Sequence, residues 1–150
     1  MNPSLAYVDT SALVKRFVSE ARSDDVESFL MRSSHRCVLS NLSLTELKTV
    51  LKRRRNDPNP KQQISMKTCK QAYNQVLIEL AQGTWHFQPI SEAVFTYAGE
   101  LIDQLATQLG TLDALHLACA KTANCAMMVS ADRQLIRASS ELGLQTLDLS

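Results

Sequence analysis

Short apolar runs alternate along the chain with longer stretches in which apolar residues recur every three to four positions. The short runs predict strands, which fall at residues 5–8, 37–39, 85–89, 126–130 and 144–147. The longer stretches predict helices, which fall at residues 11–19, 23–32, 62–80, 91–106, 112–122 and 131–139. One more helix opens at Ser43 and breaks at segment 56–60, because the two prolines there cannot continue a helix.

Strands that alternate with one or two helices favour a parallel sheet covered by helices on both faces. We therefore predict an α/β fold of three layers, α/β/α, with a central parallel sheet of about four to five strands. The chain has 150 residues, which is enough for one hydrophobic core. Because no repeat, low-complexity segment or linker interrupts it, residues 1–150 are predicted to form a single domain.

Charge narrows the possible partners. The 16 Lys and Arg residues nearly balance the 15 Asp and Glu residues, so attraction to nucleic acid must come from a local patch. The densest candidate patch consists of Lys48, Lys52, Arg53, Arg54, Arg55, Lys61, Lys67 and Lys70. The chain shows neither a secretory signal nor an apolar run long enough to span a bilayer, which predicts a cytoplasmic protein without a membrane partner.

The four cysteines form no Cys-x-x-Cys pair and have largely apolar neighbours, which predicts reduced and mostly buried thiols. His116 and Cys119 lie one helical turn apart and could in principle share a soft metal ion. No second pair completes a zinc site of the usual spacing, so packing on a helix face is the preferred interpretation.

Four acidic residues, Asp9, Glu46, Asp113 and Asp132, stand where a predicted strand or loop turns into a helix. In a parallel α/β sheet the strand ends gather along one edge, and ligands bind there. Four carboxylates at that edge repel one another unless a cation lies between them. Their oxygens suit a hard divalent ion, which points to metal-assisted phosphodiester hydrolysis.

Each acid also has a purely structural interpretation. Asp9 and Asp132 can cap the helices that follow them, and Asp113 can be a first-turn acid behind a capping threonine. Ser43 and Glu46 match the pattern of a capping box. Caps explain these acids one at a time, but they do not explain why all four share the same strand-top position.

The segments around the four acids resemble the motifs of PIN-domain nucleases, and among them the small VapC-type toxins of toxin–antitoxin pairs. The matching segments are Tyr-Val-Asp9-Thr-Ser-Ala-Leu-Val-Lys, Leu-Ser-Leu-Thr-Glu46-Leu, Leu-Asp113-Ala-Leu-His-Leu-Ala and Val-Ser130-Ala-Asp132-Arg-Gln-Leu. Their order and rough spacing agree over essentially the whole chain. The main departure is a somewhat long stretch between Glu46 and Asp113, and Ser130 stands where many relatives carry Thr.

The resemblance implies a PIN-like fold and a metal-dependent endoribonuclease whose substrate is RNA. The implied ligands of Mg²⁺ or Mn²⁺ are Asp9, Glu46, Asp113 and Asp132, with Asp9 and Asp113 as the best candidates for direct contact. The implied catalytic set adds Ser11 and Ser130. Ser11 either orients Asp9 or a metal-bound water, or makes a hydrogen bond within the first helical turn.

The resemblance also implies a homodimer and a cognate antitoxin protein that blocks the site from a helical groove. The amphipathic helices near residues 26–30 and 44–51 can supply such a groove, although core packing explains their apolar residues equally well. The basic patch is either a phosphate track that extends from the catalytic edge or a solvated helix end. Lys15 and Arg133, beside the acids, either touch phosphate or balance charge.

Three other functions use the same residues. A PIN nuclease that acts on DNA or structured nucleic acid needs the same acids. A catalytically silent PIN-like module that binds RNA or protein is disfavoured, because the set of acids is complete. A phosphoacceptor site is less favoured still, because no strand-end lysine of the kind that this chemistry uses is evident.

Overall fold

A parallel sheet of five strands forms the centre of the computed structural model, which describes residues 3–150. The strands are β1 (Leu5–Val8), β2 (Arg36–Ser40), β3 (His86–Gln88), β4 (Met127–Ser130) and β5 (Gln145–Asp148). Their order across the sheet is β3-β2-β1-β4-β5, and every neighbouring pair is parallel. The predicted α/β class is therefore confirmed.

Helices connect all of these strands. Within the described residues they are α1 (Thr10–Phe17), α2 (Ser23–Arg32), α3 (Asn41–Arg55), α4 (Met66–Ala81), α5 (Glu92–Gln104), α6 (Thr111–Thr122) and α7 (Arg133–Glu141). None of them combines the length and the apolar character that crossing a membrane requires.

The alternating side chains of the central strand separate two hydrophobic cores. Tyr7 belongs to a core with the apolar faces of α5, α6 and α7, whereas Ala6 and Val8 belong to a second core with α1, α2, α3 and α4. This division follows from the strand period of two residues. It produces the predicted three layers, and it buries β1 on both faces, as a central parallel strand requires.

Side-chain caps explain why two helices begin away from their predicted positions. The helix predicted to open at Ser43 begins at Asn41, because Ser40 is its N-cap and forms a capping box with Ser43. The helix predicted to begin at residue 62 begins at Met66, because the Ser65 side chain accepts a hydrogen bond from the Thr68 N–H. Cap identity therefore overrides apolar periodicity at both helix starts.

The strand order reverses direction between β1 and β4. From β1 the chain adds β2 and then β3 on one side, and it returns through α5 and α6 to place β4 on the other side. The Asp9 N–H donates to the Val129 carbonyl over 3.0 Å, which joins the two carboxyl ends. Ligands of open α/β sheets bind in the crevice at such a switch point, so this edge is where a site is expected.

Candidate metal centre

Three separate segments bring potential ligand atoms together at the switch point. Asp9 follows β1, Glu46 lies on the second turn of α3, and His116 lies on α6. One ligand atom from each of the three lies within 4.8 Å of the others. Asp9 is buried, with 5% of its surface exposed, whereas Glu46 is only partly buried. The cluster therefore opens to solvent on the Glu46 side.

Two serine hydroxyls orient Asp9. The Ser11 and Ser130 hydroxyls both donate to Asp9 Oδ2, over 2.6 and 2.8 Å. Backbone N–H groups fix these hydroxyls in turn, because Ala131 donates to Ser11 Oγ and Asp132 donates to Ser130 Oγ, each over 2.9 Å. Asp9 occupies the N-cap position of α1, but its side chain makes no capping hydrogen bond. The capping interpretation of Asp9 is therefore wrong.

Glu46 also has a different local setting from the one that its sequence suggests. The capping box of α3 pairs Ser40 with Ser43, so the Ser43–Glu46 box is wrong. Glu46 Oε1 instead accepts hydrogen bonds from Thr10 Oγ1, over 3.1 Å, and from His116 Nε2. Burial alone would raise the pKa of Glu46, but these hydrogen bonds, with the imidazole charge and Arg53, lower it overall. Glu46 is thus held as a carboxylate.

His116 is the member of the cluster that the sequence interpretation missed. It is fully buried, and its Nε2 also lies 3.5 Å from Asp9 Oδ1. Burial disfavours the imidazolium ion, but the Glu46 hydrogen bond and the negative charges of Asp9 and Glu46 raise the pKa of His116 overall. Cys119 Sγ contacts the Gln88 carbonyl, over 3.8 Å, and Cys119 is not part of the cluster that His116 forms with Asp9 and Glu46. All four cysteines are free thiols.

Asp113 faces the negative charge of the other acids. It lies in the first turn of α6, whose N-cap is Gly110 and not Thr111, so the proposed threonine cap is wrong. Burial, followed by the charges of Asp132 and Asp9, raises its pKa from 3.8 to about 6. No hydrogen bond to its carboxylate exists within residues 3–150. Asp113 is therefore a half-buried acid whose neighbouring charges are mainly negative, with His116 as the opposing positive contribution.

Asp132 has both a structural and an electrostatic role. Its Oδ1 accepts a hydrogen bond from the Leu135 N–H over 3.0 Å, so the N-cap interpretation is correct for this acid. Its charge is also the largest of those that raise the pKa of Asp113. All four predicted acids thus belong to one electrostatic group, although only Asp9 and Glu46 share the tight cluster with His116.

The donor set fits a divalent cation. Carboxylate oxygens are the preferred ligands of Mg²⁺ and Mn²⁺, and a nearby imidazole nitrogen is compatible with Mn²⁺. Burial and, after it, repulsion by Asp132 and Asp9 raise the pKa of Asp113, and a cation among these oxygens would favour its charged form. We infer that the cluster at the switch point is a candidate metal centre.

Several of the predicted phosphate-binding cations have protein partners instead. Lys15 donates to Glu20, over 3.2 Å, and to the Ala21 carbonyl, over 2.8 Å. Arg54 pairs with the same glutamate. Arg133 Nε donates to the Ser150 hydroxyl over 3.2 Å. Lys15 and Arg54 therefore pair with Glu20, which is not one of the four acids of the site.

Other members of the basic patch line an open groove between α3 and α4. The groove has a volume of about 450 Å³ and is lined by Lys48, Leu51, Lys52, Arg55, Met66, Cys69, Lys70, Tyr73 and Asn74. The Lys48 ammonium lies 4.5 Å from the centre of the Tyr73 ring. The groove combines an apolar floor with positive charge, and its lining contains no acidic residue.

Solved structures of similar fold are VapC-type proteins and their complexes. VapC20 from Mycobacterium tuberculosis, described as a toxin that cleaves the sarcin–ricin loop, has a TM-score of 0.69 and 18% identity, over 89% of this chain and 94% of that chain. VapBC2 from Rickettsia felis, bound to a promoter DNA fragment, has a TM-score of 0.63 and 17% identity, over 97% and 99%. FitAcB from Neisseria gonorrhoeae has a TM-score of 0.59 and 14% identity, over 95% and 96%.

At these identities the likeness to solved structures shows the fold. No curated protein matches the sequence. The family model described as PIN domain matches residues 6–141, which include all four acids and the two serines that orient Asp9. Because that match extends over most of the chain and the fold agrees with it, the chain belongs to the PIN domain family.

Proposed function

We propose that this PIN domain is a Mg²⁺- or Mn²⁺-dependent endoribonuclease that serves as the toxin of a toxin–antitoxin pair. The observation that carries the proposal is the cluster of Asp9, Glu46 and His116 at the switch point. Asp113 lies near enough to this cluster and to Asp132 for the negative charges of these acids to raise its pKa. The fold match to VapC20, which is described as a toxin that cleaves the sarcin–ricin loop, supports the choice of a nuclease toxin, and the choice of RNA follows the resemblance of the four acidic segments to VapC-type toxins.

In this proposal the four acids hold the metal, with Asp9 and Asp113 as direct ligands. A divalent ion at such a site activates water and stabilises the charge that develops on phosphate oxygens. Ser11 and Ser130 hold Asp9 Oδ2, which leaves Oδ1 as the oxygen of Asp9 that no hydroxyl engages.

The groove between α3 and α4 supplies positive charge for the RNA backbone. Lys48, Lys52 and Arg55 recur on one face of α3, the helix that also carries Glu46, and Lys70 faces them from α4. A salt titration of RNA binding tests this role, because each lost phosphate contact reduces the slope against salt concentration. We expect Lys52→Gln with Lys70→Gln to flatten the slope, whereas Lys121→Gln on α6 leaves it unchanged.

A homodimer and an antitoxin partner belong to the same proposal. VapBC2 and VapBC from Salmonella typhimurium, both described as bound to DNA, have folds similar to that of this chain. Of the apolar residues expected to line an antitoxin groove, Val26, Leu47 and Leu51 are buried in the core, so core packing accounts for them. Exposed Phe95, next to Leu42, offers an apolar surface for the second copy.

One digestion experiment tests the activity. Total RNA and a DNA of matched sequence are incubated with the purified protein and MgCl₂ or MnCl₂, with and without EDTA. We expect EDTA-sensitive RNA cleavage that Asp113→Asn abolishes. Cleavage of DNA alone would replace the proposal with a DNA nuclease, and the absence of any cleavage with either metal would support a silent binding module. A cytoplasmic location, where RNA is available, is part of the proposal.

A further inference from the structure

One buried imidazole connects the acid cluster to the hydrophobic core. His116 Nε2 donates to Glu46 Oε1, and a carboxylate can only accept, so this nitrogen carries a hydrogen. The other nitrogen, Nδ1, lies 2.6 Å from the hydroxyl of Tyr7. The two rings also meet edge to face, with centroids 5.5 Å apart. His116 therefore has both nitrogens engaged and no freedom to rotate.

The partner of His116 is itself anchored. Tyr7 is fully buried on β1, and its hydroxyl lies 2.9 Å from Ser40 Oγ. Ser40 is the N-cap of α3, the helix that also carries Glu46. The hydrogen bonds thus form a closed circuit that leaves α3 at Ser40, passes through Tyr7 and His116, and returns to α3 at Glu46. These hydrogen bonds connect β1, α3 and α6 beside the acid cluster.

Hydrogen bonds occupy one carboxylate oxygen of Glu46 and one of Asp9. Glu46 Oε1 accepts from His116 and Thr10, and Asp9 Oδ2 accepts from the two serines. In the part of the chain that the structure describes, Glu46 Oε2 and Asp9 Oδ1 accept no hydrogen bond of their own. His116 Nε2 lies 3.5 Å from Asp9 Oδ1, and it thus spans the gap between the two side chains.

We propose that His116, held by Tyr7, is a positioning residue that sets the Glu46 and Asp9 carboxylates at the spacing a divalent metal requires. Two neighbouring carboxylates repel each other, and a long glutamate side chain loses rotamer freedom when a metal orders it. A fixed N–H between them offsets both costs before the metal arrives. Outer-shell groups of this kind change metal affinity or activity by about 10–100-fold when they are removed. This inference rests on the proposed function.

Titration calorimetry of the metal-free protein with MnCl₂, without RNA, tests the role directly. His116→Leu removes the donor and keeps the site apolar, and we expect Mn²⁺ affinity to fall by about 10–100-fold. His116→Gln restores an N–H donor and should recover most of the lost affinity, which a merely structural role would not predict. Tyr7→Phe removes only the anchoring hydroxyl and should weaken binding, whereas Tyr97→Phe on α5 is the matched control.

The outcomes distinguish a failure of the proposed metal site from a failure of the positioning role of His116. If the wild-type protein binds no Mn²⁺, the proposed metal site fails and the inference fails with it. If the wild type binds Mn²⁺ and the folded His116→Leu protein binds equally well, the inference alone is overturned. Should that variant fail to fold, Tyr7→Phe decides by the same criterion. Pulsed EPR of the Mn²⁺ complex is a further check, because nitrogen coupling from a coordinated imidazole would make His116 a ligand and overturn the positioning role.

Discussion

Substitution of Asp113 measures how much its charge lowers the free energy of unfolding when no metal is bound. Its carboxylate is half-buried among other acids and makes no hydrogen bond with the rest of the described chain, so Asp113→Asn removes a charge without removing a contact. With EDTA present at pH 8, we therefore expect Asp113→Asn to be more stable than the wild type. Most substitutions lower the free energy of unfolding. We expect this one to raise it, because it removes a charge that burial and the neighbouring acids disfavour in the native state.

The size of the gain follows from the pKa. Burial, Asp132 and Asp9 raise the pKa of Asp113 from 3.8 to about 6. At about 1.36 kcal/mol for each tenfold change in an equilibrium constant, this rise corresponds to about 3 kcal/mol. Asp113 is only partly buried, so solvent screens its charge, and we expect a gain of about 1–2 kcal/mol.

The same pKa fixes the dependence on pH. Because the folded pKa lies above the unfolded one, the folded state holds the proton more tightly between 3.8 and about 6. The penalty is absent below that window, grows as the pH rises through it, and is complete above it. The difference in stability between Asp113→Asn and wild type should therefore vanish near pH 3.5 and reach its full value by about pH 7.

Urea unfolding followed by the fluorescence of the single tryptophan provides the assay. Trp85 is 3% exposed in the native state, so its emission reports unfolding. Glu100→Gln, an exposed position on α5, is the matched control, and we expect it to change stability by less than about 0.5 kcal/mol. Saturating Mn²⁺ should reverse the order, since the wild type binds it more tightly. Equal stability of wild type and Asp113→Asn at pH 8 in EDTA would refute the reasoning.

Two further substitutions test residues of the site, and a third tests an ion pair far from it. Asp9→Asn should lower metal-dependent RNA cleavage by at least about 100-fold with an unchanged circular dichroism spectrum, and cleavage at the wild-type rate would remove Asp9 from the site. Ser130→Ala takes away one of the two hydroxyls on Asp9 and should weaken Mn²⁺ binding in calorimetry by about 10-fold or more; unchanged affinity would contradict that role. Glu79 is buried, pairs with Arg16 at 2.6 Å and accepts from the Trp85 indole at 2.8 Å. Glu79→Gln should therefore lower the free energy of unfolding by about 1–3 kcal/mol, and a folded sample at low temperature should still cleave RNA.

The periodicity of the sequence is sufficient to predict the fold class, but it predicts the contacts of the site residues less well. Asp9 and Asp132 could be located because each follows a short apolar strand, and strand ends meet at one edge of a parallel sheet. Glu46 was located by its motif, but its local role was misjudged, because a serine three residues earlier imitates a capping box. Ser40, and not Ser43, is the N-cap of α3 because β2 ends at Ser40. The apolar pattern of the sequence does not fix where β2 ends.

His116 shows what periodicity cannot resolve. It lies in an almost continuous apolar stretch of α6, where a histidine that packs and a histidine that holds carboxylates look alike. The available signal was its spacing of three residues from Asp113, which places both on the same helix face. The tyrosine that engages its other nitrogen lies on a distant strand, and only the fold brings them together.

The site draws its side chains from segments that lie far apart in the sequence. Asp9 belongs to the first strand, yet the hydroxyl that steadies it comes from Ser130, and Asp132 follows soon after in a chain of 150 residues. The pocket can therefore assemble only after synthesis has passed residue 132. A nascent chain that still lacks β4 has no Ser130 hydroxyl to orient Asp9, so if RNA is the substrate, cleavage must wait until this strand has been synthesised and has paired with β1.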